Sequence, residues 1–76
     1  MISRNGVLQQ EFRLFEQYKQ KWLQLHAGEF ALISNTTIAG FYPDYESAFL
    51  VGLQNFGSRD FLIKQVLAEE PVHFIY

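Results

Sequence analysis

The most constraining stretch of this chain is a pair of short apolar runs around a polar link. Glu29-Phe30-Ala31-Leu32-Ile33-Ser34 leads to Asn35-Thr36, and Thr37-Ile38-Ala39-Gly40-Phe41-Tyr42 returns with β-branched and aromatic residues. Such runs read as a β-hairpin. A two-residue loop sets Ile33 opposite Ile38, Ala31 opposite Gly40 and Phe30 opposite Phe41. One face then carries Ala31, Ile33, Ile38, Gly40 and Tyr42; the other carries Phe30, Leu32, Ala39 and Phe41. Both faces are apolar, whereas a hairpin with one wet side alternates with polar residues. The second face needs a cover: a second helix, the C-terminal tail or another subunit. Gly40, with no side chain to pack, marks a bulge or a close backbone approach.

What flanks the hairpin supplies the candidates for that cover. From Val7 to His26 the apolar residues Leu8, Phe12, Phe15, Tyr18, Trp22 and Leu25 recur at helical spacing, with Gln, Glu, Lys and Arg on most of the remaining face. Residues 1–6 show no periodicity and are expected to fray. Ala27-Gly28 ends this helix of residues 7–26, Gly28 being suited to a left-handed cap. After the hairpin, Asp44 is a natural N-cap for a second helix. Its broad apolar face runs through Tyr45, Ala48, Phe49, Gly52, Leu53 and Phe56. Gly52 in mid-helix points to close packing. Gly57 stops the helix, and Ser58-Arg59-Asp60 makes a turn. Phe61–Val66 is a third strand, with Phe61 and Ile63 on one face and Leu62 and Val66 on the other.

This order, hairpin then helix then strand over residues 29–66, limits the topology. A third strand antiparallel to the first lies beside it, giving sheet order 2-1-3 with the helix as a right-handed crossover. Leu67-Ala68-Glu69-Glu70 leads to an apolar tail, residues 71–76, in which Pro71 interrupts strand pairing. The tail is expected to dock as a short edge strand or to cover a sheet face. The expectation is one small α+β domain over residues 1–76.

A chain of 76 residues buries a modest core and has a narrow stability margin. It has no cysteine, which removes disulfides and thiolate metal sites. Eight Phe, four Tyr and one Trp are a rich supply for a two-layer fold of this size, so self-association or a protein partner is an option for covering the excess. Six basic residues against eight acidic ones, spread along the chain, make no phosphate-binding patch, and nucleic acid is disfavoured. No apolar run reaches the length of a membrane span and no signal-peptide core is present, so a cytoplasmic protein without membrane contact is expected.

Chemistry-bearing patterns are sparse. His26 and His73 are far apart and lack carboxylates at ligand spacing, so no metal is assigned. His26 reads as a cation-capable residue at a helix C-terminus, and His73 as a packing or hydrogen-bonding residue. Glu69-Glu70 are adjacent in an extended segment and point to opposite sides. No phosphate-binding glycine loop and no metalloprotease motif occurs. No catalytic residue, cofactor or small-molecule ligand is assigned. A cross-strand pair of Phe30 and Phe41, joined by Phe61, would offer a platform for stacking RNA bases.

From Tyr18 onward the chain resembles a family of small bacterial proteins of unknown function. The motifs are Trp22 in its helix, Gly28–Ile33, Ile38–Tyr42, Asp44–Ala48, Phe56-Gly57, Phe61–Val66 and Pro71–Ile75. Members are often encoded beside a retropepsin-like aspartic protease, and the resemblance implies a small accessory or partner protein with no catalytic residues to transfer. The functional expectation is a non-enzymatic protein-interaction module, acting through a homodimer or a protein partner. Its expected surface is Phe30, Leu32, Phe41, Val72, Phe74, Ile75 and Tyr76. The alternative is a small antitoxin-like regulator that binds nucleic acid.

Overall fold

A computed structural model describes residues 8–57 and 59–68, and the main-chain pairing of 74–75. The expectations for residues 1–7, Ser58, Glu69, Glu70, Pro71, Val72, His73 and Tyr76 lie outside the described residues. Six elements follow in order: α1 (Gln9–Leu25), β1 (Phe30–Ser34), β2 (Thr37–Tyr42), α2 (Tyr45–Phe56), β3 (Leu62–Gln65) and β4 (Phe74–Ile75). The fold is α+β. The sheet order is β2-β1-β3-β4, and each neighbouring pair is antiparallel. The order 2-1-3 inferred from the sequence is therefore present, and the tail adds a short edge strand opposite Leu62 and Ile63.

Each boundary has a local cause. At the end of α1 the His26 N–H bonds to the Trp22 carbonyl, and Gly28 follows with φ +86°. Before α2 the Asp44 carboxylate accepts a 2.7 Å hydrogen bond from the Ser47 N–H. Reciprocal bonds between the Gly28–Glu29 and Val66 main chains carry the β1–β3 pairing beyond the strands proper. At the other end the Ser34 hydroxyl donates to the Asp60 carbonyl, tying the end of β1 to the entry of β3.

Both sheet faces are covered by helix. On one side Phe15 and Trp22 of α1 pack on Ala31, Ile33 and Val66, with Leu14, Leu23 and Phe41 at the margin. On the other, Ala48 and Phe56 of α2 pack on Leu32, Phe61 and Ile63, with Phe30, Tyr42 and Phe49 at the margin. The two apolar faces of the hairpin thus each meet their own helix. Burial of each such large side chain contributes roughly 1.5–3 kcal/mol. The third strand presents its residues as its pattern requires, Val66 toward α1 and Phe61 and Ile63 toward α2.

The hairpin register departs from the expected one. Ile33 faces Ile38 as expected, but Leu32 then faces Gly40, Ala31 faces Phe41 and Phe30 faces Tyr42. One extra residue, Ala39, sits in β2 as a β-bulge, and it shifts all later pairs by one. Gly40 adopts φ +148°, a backbone conformation that favours glycine, and a Cβ there would have to displace the Tyr42 hydroxyl, 2.8 Å away. The bulge exchanges the faces of three residues, moving Gly40 to the α2 side with Leu32. Phe41 joins the α1 side and Tyr42 the α2 side, the reverse of the regular-hairpin expectation.

Candidate interaction surface

With both faces covered, the apolar surface that remains lies at the margins. Among the described residues the exposed large hydrophobics are Tyr18 (37%), Leu25 (63%), Ile38 (37%), Leu50 (54%) and Leu53 (45%). Tyr18 and Leu25 belong to the aromatic stripe of α1 but do not share the burial of Leu8, Phe15 and Trp22. Seven residues apart, they project along one flank of the helix. The opposite flank is marked by Lys19, whose ammonium donates to the Ala68 carbonyl beyond β3, and by Phe12, which lies under the Lys64 ammonium of β3. Tyr18 and Leu25 therefore overhang the β2 side of the sheet. Ile38, opposite Ile33, lies on that same α1 side of β2.

An aromatic ladder anchors this margin. Tyr18 stacks on Trp22 with ring centroids 5.6 Å apart, and Trp22 meets Phe41 edge-on at 4.9 Å. His26 lies flat on Phe41, 3.7 Å away and 2° from parallel. Its Nδ1 is 2.8 Å from Glu29 Oε1. Aromatic pairs of this kind are worth about 0.5–1.5 kcal/mol each beyond area burial. Stacking on one ring face and a carboxylate at Nδ1 make His26 a residue that fastens the end of α1 to β2.

The strand beneath that ladder is an edge. β2 ends the sheet, so among the described residues no strand pairs with its outer side. Thr37–Tyr42 contains no charged residue. Exposed edges are ordinarily blunted by Lys, Pro or a bulge, and β2 has only the bulge, with Pro43 just beyond it. The leucines of α2 are differently placed. Leu53 follows Phe49 by one turn, and Phe49 packs toward Phe61, so this flank faces away from β2.

The residues singled out in the sequence are dispersed by this architecture. Leu32 is fully buried beneath α2 and has no area with which to meet a partner. Phe30 lies half-buried on the α2 side and Phe41 half-buried on the α1 side. The bulge therefore separates Phe30 from Phe41, and Phe61 is buried, so these three rings form no common stacking platform. Phe74 and Ile75 contribute main-chain pairing at the far edge. Tyr18, Leu25 and Ile38 were missed as surface residues because periodicity assigns a stripe to the core without telling which members overhang an edge.

Polar groups make no site of comparable extent. Buried Glu11 accepts a 2.6 Å hydrogen bond from the Asn35 N–H through Oε2, while Oε1 has no partner among the described residues. Buried Lys64 rests over the rings of Phe12 and Phe15. The Asp44 carboxyl is held below its ordinary range, chiefly by the Ser47 N–H and then by the Ser47 side chain. The described residues contain no pocket and no group of three metal-ligating side chains. No described helix is long and apolar enough to cross a membrane. No family model, curated protein or solved structure matches the chain, so the family expectation rests on its quoted motifs alone.

Proposed function

We propose that this chain is a non-enzymatic protein-interaction module, acting through a homodimer or a protein partner. Its contact surface is the outer edge of β2 with Tyr18, Leu25 and Ile38. The observation that carries this reading is the conjunction of an uncharged edge strand, whose outer side pairs with no strand among the described residues, with an exposed apolar margin on one side of it. Edge main-chain groups give affinity by strand addition, and apolar side chains beside them give specificity. From the resemblance to the bacterial family, a product of a neighbouring gene is the partner to try first.

A photo-crosslinking amino acid at Ile38, compared with one at exposed Gln54 on α2, tests this in cells producing the protein. A discrete adduct from position 38 that position 54 does not give is the expected result. Equal labelling from both positions, or none from 38, would overturn the proposal.

A further inference from the structure

The bulge in β2 carries more information than a break in the pairing. Relative to the sheet, Thr37 faces the α2 side, Ile38 the α1 side, Ala39 and Gly40 both the α2 side, Phe41 the α1 side and Tyr42 the α2 side. Read backwards, that series is unchanged. A regular six-residue strand alternates and cannot be matched, face for face, to all six residues of an antiparallel copy of itself. The bulged strand can, in a single register: Thr37 opposite Tyr42, Ile38 opposite Phe41 and Ala39 opposite Gly40.

The main chain has the same symmetry. In a two-residue hairpin the residues flanking the turn, Ser34 and Thr37, exchange their hydrogen bonds. Alternation along the ladder then turns the N–H and C=O of Ile38 outward and, past the bulge, those of Phe41. These are the two residues that meet in the self-matching register. Each meeting forms a reciprocal pair of main-chain bonds, and the twofold repeats it.

We propose that the occupant of the β2 edge is a second copy of this chain. The two β2 strands pair antiparallel about a twofold axis normal to the sheet, centred between Ala39 and Gly40. This deepens the interaction-module reading and rests on it. A twofold axis in that direction keeps the faces in common, so α1 lies beside its mate and the Tyr18–Leu25 flanks approach each other. The strand is neutral throughout, so two copies meet without like-charge repulsion. Leu53 lies on the Phe49 flank of α2 and Leu50 on its outer face, so both stay outside the contact.

Sedimentation of the full chain, with an inter-copy distance measurement, decides the matter. The natural chain is expected to sediment as a dimer. Ile38→Pro removes an outward N–H without removing a bond within the sheet, and Ile38→Lys places charge against the margin; both should yield monomer. Leu50→Lys should leave the dimer intact. The chain lacks cysteine, so Thr37→Cys gives a single spin-label position. The register places the two Thr37 Cα atoms about 17 Å apart, five residues along the paired strands. If Ile38→Pro fails to fold by circular dichroism, Ile38→Lys and the label distance decide. A monomer at every concentration, a dimer insensitive to Ile38→Lys, or a label distance beyond about 30 Å would overturn the proposal. A monomer that still gives a position-38 adduct with another protein would remove the second copy and leave the interaction reading standing.

Discussion

Gly52 sets how closely α2 can approach the sheet. A Cβ there would lie 2.5–2.9 Å from three ring atoms of Phe61, which is itself buried between Phe49 and Phe56. Gly52→Ala should gain roughly 1 kcal/mol in helix propensity and lose about 1–3 kcal/mol to overpacking. The net result is a less stable protein, read as a lower urea midpoint at unchanged slope. Phe61→Leu in the same chain should recover part of the loss, so the double variant should fall short of the sum of the singles. Full additivity would show that the ring and the glycine do not meet. Glu11 supports a different contact, holding the Asn35 N–H of the hairpin turn where φ is +55°. Glu11→Ala leaves that N–H without its partner at a cost of about 1–3 kcal/mol. Glu11→Gln keeps an acceptor oxygen and should lose much less in the same denaturation experiment.

At the scale of elements, α1 and α2 are legible from apolar spacing and caps because those signals are local. The sheet order follows from chain connectivity, with little freedom once the hairpin and one crossover are in place. The bulge was legible only as an irregularity at Gly40. Whether a glycine marks an inserted residue or a close approach depends on how β1 and β2 meet, and that is a nonlocal fact. One inserted Ala39 places Phe41 on the other face and separates it from Phe30. The exposed margin was illegible for a related reason, since Tyr18 and Leu25 differ from Phe15 and Trp22 only in where the sheet stops beneath them. The N-cap of α2 was legible and yields a pH prediction. The folded pKa of Asp44 lies below its unfolded value, so the cap stabilises α2 above the unfolded value and is lost as pH falls through the depressed folded one. Asp44→Asn keeps an acceptor for the Ser47 N–H but cannot titrate. Its acid unfolding profile should therefore lose that component, and an unchanged profile would show that the cap charge contributes nothing.

For the whole molecule, size and surface lead to the same expectation. A 76-residue chain has little core to spare, yet this one leaves Tyr18, Leu25 and Ile38 exposed beside a strand whose outer side is unpaired among the described residues. In an isolated monomer the exposed part of those residues adds nothing to stability, and the outer edge of β2 invites aggregation. In a paired molecule they become interior, and folding is then linked to association by mass action. The thermal midpoint of the natural chain should therefore rise with protein concentration, whereas that of a strictly monomeric two-state domain does not move. Calorimetry over a hundredfold dilution series measures this directly. Ile38→Lys should remove the concentration dependence and bring the midpoint to the dilute limit of the natural chain. Leu50→Lys should preserve the slope, because Leu50 lies two residues from buried Ala48 and Gly52, on the face of α2 turned away from the sheet. If the natural midpoint is flat while Ile38→Lys melts lower, Ile38 stabilises the single chain and the exposed margin belongs to its own fold.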